Sequence, residues 1–235
     1  MTKVAEISAQ AIAKNLHETE RQLTEFAAHS EYSDNIQLVA VSKKHSADAV
    51  IAATKAGQTH FAENYVQEGV EKIAQVENPA LVWHFIGPLQ SNKTRDVAEH
   101  FDWVQSVERE KIARRLNDQR PAEQPPLNVL LQVNIDDDDN KSGLSVDDVP
   151  ALAEFISGCD QLTLRGLMTI LKAGSDEQQQ RRSFAAMRKL FEHLQLEYGQ
   201  QIDTLSMGMS GDMRQAVLEG ANMVRIGTAI FGQRE

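Results

Sequence analysis

Eight short β-type runs recur from near residue 38 to the end of the chain, separated by stretches with helical periodicity. They are LVAVS (38–42), HFAE (60–63), WHFIG (83–87), DWVQSV (102–107), NVLLQVNI (128–135), LRGLMTI (164–170), TLSMG (204–208) and MVRIG (223–227). Several are almost continuously apolar, as expected of parallel strands buried on both faces. Eight strands with intervening helices match the arithmetic of a closed (β/α)8 barrel, the TIM-barrel architecture. An open doubly wound sheet is the rival. Against it, LVAVS is not followed by a Gly-x-Gly-x-x-Gly turn, and the crossovers are many for one nucleotide-binding sheet.

The helical stretches carry the matching spacing. Val66, Val70 and Ile73 fall four and three apart, Ile112 and Leu116 four apart, and Phe184, Met187, Leu190 and Leu194 stripe the 176–198 segment. Gly57, Gly199 and Gly220 follow helical patterns, where a left-handed cap is useful. An extra N-terminal helix, approximately 4–28, carries Ile7, Ile12, Leu16, Leu23 and Phe26. Nothing in the 235 residues reads as a linker. RPAEQPPLN (120–128) and DDDDNKSG (136–143) are loops, so the expectation is one domain, 1–235, with a helical segment at 1–30 and the barrel over 38–232.

Composition excludes several classes. Apolar residues make up 41% and charged residues 25%, an ordinary core-forming mixture rather than a disordered or fibrous one. A net charge of −10 is a poor background for binding nucleic acid. The single Cys159 permits no internal disulfide and reads as a helix-end or surface thiol in a reducing compartment. The N-terminus has no apolar signal core, and no 18-residue apolar run follows, so a cytoplasmic, soluble protein is expected.

In a barrel, active sites gather at the C-terminal ends of the strands. Lys43 closes the first strand there, and Lys44 is expected to point the other way by the period of two. A partly desolvated lysine loses its proton more easily, and a neutral amine can form a Schiff base with a carbonyl. A strand-end lysine snorkelling to water is the plainer alternative. In TLSMGMSGDM, Ser210 stands where a helix N-cap should be, with Asp212 in the first turn. Free amides there, and in the turn at Gly227 and Thr228, form a phosphate cradle or simply a cap and a turn. Asp212 would compete with a phosphate for the same amides. Arg225 lies inside an apolar run, where a charge needs a ligand or a salt-bridge partner. Together these groups suit a phosphorylated carbonyl compound: pyridoxal 5′-phosphate (PLP) would satisfy all three, a sugar-phosphate aldolase substrate two.

The motifs LVAVSKKHSADAV, HFAENYVQEGVEKI, LVWHFIGPLQSNKTRDV, NVLLQVNIDDDDNKSG, LRGLMTI, TLSMGMSGDMRQAV and MVRIGTAIFG span residues 38–232. Through them the chain resembles the YggS/PROSC family of pyridoxal phosphate homeostasis proteins. The resemblance implies a barrel like the N-terminal domain of alanine racemase, fold type III among PLP proteins. It places the PLP aldimine on Lys43, phosphate contacts on Ser210, Gly227 and Thr228, and the ring-nitrogen contact on Arg225. It makes Asn64 a pocket residue and links Lys141, in NKSG, to cofactor traffic. It also implies a monomer, with PLP-dependent apo-enzymes as recipients of the cofactor.

Alanine racemase works with an opposed acid and base, one of them a tyrosine from a second domain. This chain ends just past the eighth strand, and Tyr32 and Tyr198 lie away from the mouth, with Tyr65 beside Asn64. The expectation is therefore a PLP carrier in vitamin B6 homeostasis rather than an enzyme, with a weak racemase or other PLP enzyme as the alternative and the aldolase as a second. No metal site is expected: the seven histidines form no ligand spacing, and His84 reads as core or support. The Asp136–Asp139 run lacks a calcium-loop pattern, and Trp83 and Trp103 read as packing between barrel and helices.

Overall fold

The computed structural model describes residues 7–32, 35–138 and 141–233. Eight parallel strands close into a barrel in sequence order: β1 (Gln37–Val41), β2 (His60–Glu63), β3 (Val82–Phe85), β4 (Trp103–Val107), β5 (Leu127–Gln132), β6 (Leu162–Met168), β7 (Thr204–Ser206) and β8 (Met223–Ile226). Closure is made by β1 against β8, with Ala40 opposite Ile226. All eight runs read from the sequence are strands. Their tails (Ser42, 86–87, 133–135, 169–170, 207–208 and Gly227) lie beyond the eight-strand ladders at the barrel mouth, Val133 in an isolated bridge with Leu144.

Around the barrel run α1 (Ala9–Ala27), α2 (Ala47–Lys55), α3 (Val66–Val76), α4 (Thr94–His100), α5 (Glu110–Gln119), α6 (Val149–Ser157), α7 (Glu177–Tyr198), α8 (Met213–Leu218) and α9 (Thr228–Phe231). The extra helix starts at Ala9, behind a Ser8 cap whose Oγ accepts the Ala11 amide at 3.2 Å; residues 4–6 of the expected span lie outside the described residues. Ile12, Leu16 and Leu23 bury its inner stripe, with Ile7 and Phe26 half-covered. It packs on α2, α8 and α9, and Asn15 Nδ2 donates to Ile230 O at 3.0 Å. The short α9, whose first residue is Thr228, is thus braced from outside the barrel.

Period-two alternation sorts the strands into two cores. Phe61, Trp83, Phe85, Val104, Leu205, Val224 and Ile226 face outward into the layer shared with the helices. Val39, Val41, Ala62, Trp103, Leu130, Met168 and Met223 fill the barrel interior. Trp83 is where the sequence placed it. Trp103 is not: it lies inside the barrel, stacked on His84 with centroids 5.3 Å apart. Over residues 103–106 each face of the strand carries one apolar and one polar residue, so composition does not say which face turns inward.

Candidate functional site

Lys43 follows β1 by two residues, in a turn closed by the His45 amide on Ser42 O at 3.0 Å. It is half-buried, while Lys44 is exposed with φ of +64°. Lys44 therefore does not continue the strand alternation; the chain has already turned through a left-handed residue. Asn64 follows β2 directly and is half-buried. Its place depends on Gly87 after β3, where a Cβ would stand 2.1 Å from Asn64 O. Gly87 is itself held by Ser106 Oγ, which donates to its carbonyl at 2.6 Å.

Arg225 points into the barrel from β8 and is 3% exposed. Its guanidinium is anchored twice: Nη1 donates to Ser206 Oγ at 2.6 Å and Nη2 to Thr169 O at 2.7 Å. Burial pushes its pKa down to about 10, with Asp212 opposing, so the group stays protonated at neutral pH. Two residues on, the Gly227 carbonyl receives the Ile230 and Phe231 amides at 2.9 Å, which starts α9 and leaves the first-turn N–H groups at Thr228 and Ala229 without intrahelical acceptors.

Ser210 departs from expectation. The helix after β7 begins at Met213, so Asp212 is the N-cap residue and Ser210 sits in the preceding turn, exposed. Asp212 turns its carboxylate back, and Oδ1 accepts the Met209 amide at 2.6 Å. The Asp212 side chain caps no helix amide; it closes the preceding turn instead, as Asp side chains do in loops. Asp212 thus occupies one of the loop amides, that of Met209. Burial raises the Asp212 carboxyl, while the Met209 amide, Arg225 and Lys141 pull it back.

Lys141 reaches the β6 loop, where Nζ donates to Ile170 O at 3.2 Å and to Leu171 O. From there its charge reaches Asp212, in the loop after the neighbouring β7. The eight parallel strands bring Ser210, Arg225, Gly227, Thr228, Lys43 and Asn64 to one end of the barrel from four consecutive neighbours, β7, β8, β1 and β2. The reading of His84 as core or support agrees with its place in the chain of bonds beneath Arg225; sequence reasoning missed the rest of that support, Ser206, Gln105 and His60. The signal available was a glutamine in DWVQSV and a serine in TLSMG, at positions in step with Trp103 and Arg225. Among the described residues no group of three or more His, Cys, Asp or Glu could hold a metal ion, and no helix is long and apolar enough to cross a membrane.

Fold and mouth together define a (β/α)8 barrel of the alanine racemase N-terminal type, and the family of that description matches residues 7–235. An alanine racemase from Corynebacterium glutamicum superposes with a TM-score of 0.72 at 16% identity, over 97% of this chain and 62% of the racemase, a likeness of fold alone. A pyridoxal phosphate homeostasis protein of Haemophilus influenzae is 54% identical over 204 residues, 86% of each chain. PipY of Synechococcus elongatus, solved with PLP bound, superposes with a TM-score of 0.83 at 37% identity, over 94% of this chain and 100% of PipY. The chain belongs to the alanine racemase N-terminal-domain family, among its pyridoxal phosphate homeostasis proteins, which bears out the resemblance carried by its motifs.

Proposed function

We propose that this chain binds PLP at the barrel mouth with Lys43 as the covalent anchor, and serves PLP homeostasis without catalysing a turnover of its own. The observation that carries the reading is the pairing of β1 with β8, Ala40 opposite Ile226. It brings the Lys43 turn alongside Arg225, Gly227 and Thr228. The donor set fits PLP: an amine, a buried guanidinium and amides left over at a helix start. When bound, PLP supplies an aldehyde that condenses reversibly with a primary amine.

Each residue has a separate task. Lys43 offers the amine. Arg225 carries five N–H donors, so its two anchoring bonds hold the plane and leave donors for a ring nitrogen. A donor that remains protonated leaves that nitrogen unprotonated, which weakens the ring as an electron sink and favours holding over turnover. Gly227, Thr228 and Ser210 take the phosphate, and Asn64 bounds the pocket beside β2. Lys141, bonded to the loop after β6, has no assigned contact with the cofactor.

The relatives' names, homeostasis proteins rather than enzymes, support the non-catalytic reading. It extends to a cytoplasmic monomer that passes PLP to apo-enzymes. Borohydride reduction of the PLP-loaded protein followed by peptide mapping should place a pyridoxyl group on Lys43, and Lys43→Ala should abolish the visible absorbance. An adduct only on Lys141, or steady turnover of a free amino acid that Lys43→Ala abolishes, would overturn the reading or its non-enzyme part respectively.

A further inference from the structure

Lys72 lies on α3, 5% exposed, between the helix and the ends of β1 and β2. An ammonium has three N–H donors, and this one meets three acceptors: Ser42 O at 2.9 Å, Glu63 Oε1 at 2.6 Å and Glu68 Oε1 at 3.0 Å. Glu68 Oε1 also accepts the Lys44 amide at 2.5 Å, and Glu63 Oε1 also accepts Ser42 Oγ at 2.6 Å. The carbonyl of Ser42 belongs to the peptide group before Lys43, and the amide of Lys44 to the peptide group after it. Both peptide planes flanking Lys43 are therefore pinned, one by Lys72 and one by Glu68, and the Lys72–Glu68 ion pair ties the two pins together. The same cluster joins Ser42 to Glu63, the residues immediately before Lys43 and Asn64.

Stability alone is a weak explanation for this cluster. Burial raises the Glu63 carboxyl against the pull of Lys72 and Ser42, so desolvation is the larger influence there, and buried ion pairs are commonly replaceable by apolar groups. The left-handed backbone at Lys44, a residue with a Cβ, needs an outside hold. We propose that Lys72 and Glu68, seated on Glu63, are positioning residues for Lys43, fixing its backbone so that its amine is presented for covalent capture of the PLP aldehyde. This rests on the reading of Lys43 given above.

The test compares two ligands: PLP, titrated by visible absorbance, and pyridoxine 5′-phosphate, which has an alcohol where PLP has the aldehyde. Glu68→Ala and the double variant Glu63→Gln/Lys72→Met should each weaken PLP binding by about tenfold while leaving pyridoxine 5′-phosphate within about twofold of the unaltered protein. Glu68→Gln keeps an acceptor for the Lys44 amide and should restore PLP binding. Equal losses for both ligands, or unchanged PLP binding in Glu68→Ala, overturn the proposal. The double variant removes both buried charges together; if it fails to fold, the part-exposed Glu68 variants decide the question. Lys43→Ala is the reference: if it keeps the absorbance, the Lys43 reading falls and this proposal with it, whereas its loss alongside an unaffected Glu68→Ala sinks the positioning role alone.

Discussion

Arg225 and Ser206, on neighbouring strands, share a 2.6 Å hydrogen bond in which the guanidinium Nη1 donates to the hydroxyl oxygen. Ser206 donates in turn to Gln105 Oε1 at 2.7 Å, Gln105 Nε2 meets His84 Nδ1 at 2.9 Å, and His84 Nε2 meets His60 Nδ1 at 3.0 Å. The chain of bonds runs through the barrel interior to His60, the first residue of β2. Its polarity fixes the tautomers. Gln105 gives its oxygen to Ser206, so its amide nitrogen donates and His84 Nδ1 accepts. Neutral His84 then carries its proton on Nε2 and donates to His60.

Ser206→Ala should test how firmly Arg225 is held. It removes the acceptor of Nη1 and the donor to Gln105 Oε1, both in a water-poor interior where an unpaired group is expensive. Chemical denaturation should show a loss of about 2–3 kcal/mol, and PLP should bind more weakly. A variant as stable as the unaltered protein would mean that Thr169 alone anchors the guanidinium.

The tautomer assignment requires two neutral histidines, and that gives a pH dependence. Burial pushes His84 well below its ordinary value of 6.5, with His60 adding to the effect, and burial lowers His60 too. Below pH 6.5 the unfolded chain gains protons that the native chain refuses, so stability falls with pH. The contribution is complete above 6.5 and disappears as pH drops toward the depressed native values, with a slope approaching about 1.4 kcal/mol per pH unit for one such histidine. The raised carboxyls of Glu63, Asp102 and Asp212 act with the opposite sign. They are present in His84→Gln as well, so comparing urea midpoints from pH 7 to 5 isolates His84. The variant should lose less stability over that range; parallel losses would show that His84 does not resist protonation.

Gly87→Ala should damage the mouth through Asn64 rather than through its own side chain. The added Cβ would stand 2.1 Å from Asn64 O and 2.8 Å from Asn64 C. Backbone cannot yield as a flexible side chain does, so the β2 end must move, at a cost of about 1–3 kcal/mol. PLP affinity should fall more than in Asn64→Ala, which removes only the side chain. The reverse order would show that the Asn64 side chain matters more than its backbone placement.

What the sequence revealed and what it hid follow from range. The eight strands were legible because each is a short apolar run bounded by turn residues, and the mouth followed from their parallel order. Trp103 was assigned to the wrong layer because residues 103–106 of DWVQSV give each face one apolar and one polar residue, Trp103 with Gln105 and Val104 with Ser106. Neither face stands out as the one that packs on the helices. The turn at Lys44 was invisible for a different reason. Its left-handed backbone is held by Glu68, 24 positions away, with no glycine to announce it. Ser210 was read as the cap and Asp212 as a first-turn residue; the helix instead starts at Met213, and the Asp212 carboxylate turns back to the Met209 amide, which local pattern alone does not reveal. Gln105 and Ser206 acquire meaning only once the barrel closes and sets them under Arg225.

Asp212 bears on the proposed phosphate contacts directly. Its carboxylate occupies the Met209 amide, in the turn that includes Ser210, and adds negative charge where an anion is to bind. Asp212→Asn keeps an oxygen acceptor for Met209 while removing that charge. Inorganic phosphate and PLP should therefore bind about threefold or more tightly to the variant, while pyridoxal, which lacks the phosphate, binds unchanged. Because burial raises the Asp212 carboxyl, acidification neutralises it sooner than an exposed aspartate. The advantage of the variant should accordingly shrink as pH falls toward that raised value, and comparison at each pH cancels the phosphate's own titration. Weaker phosphate binding to Asp212→Asn would instead mean that the ionised carboxylate is needed to shape the turn, and that its hold on Met209 outweighs its repulsion of the ligand.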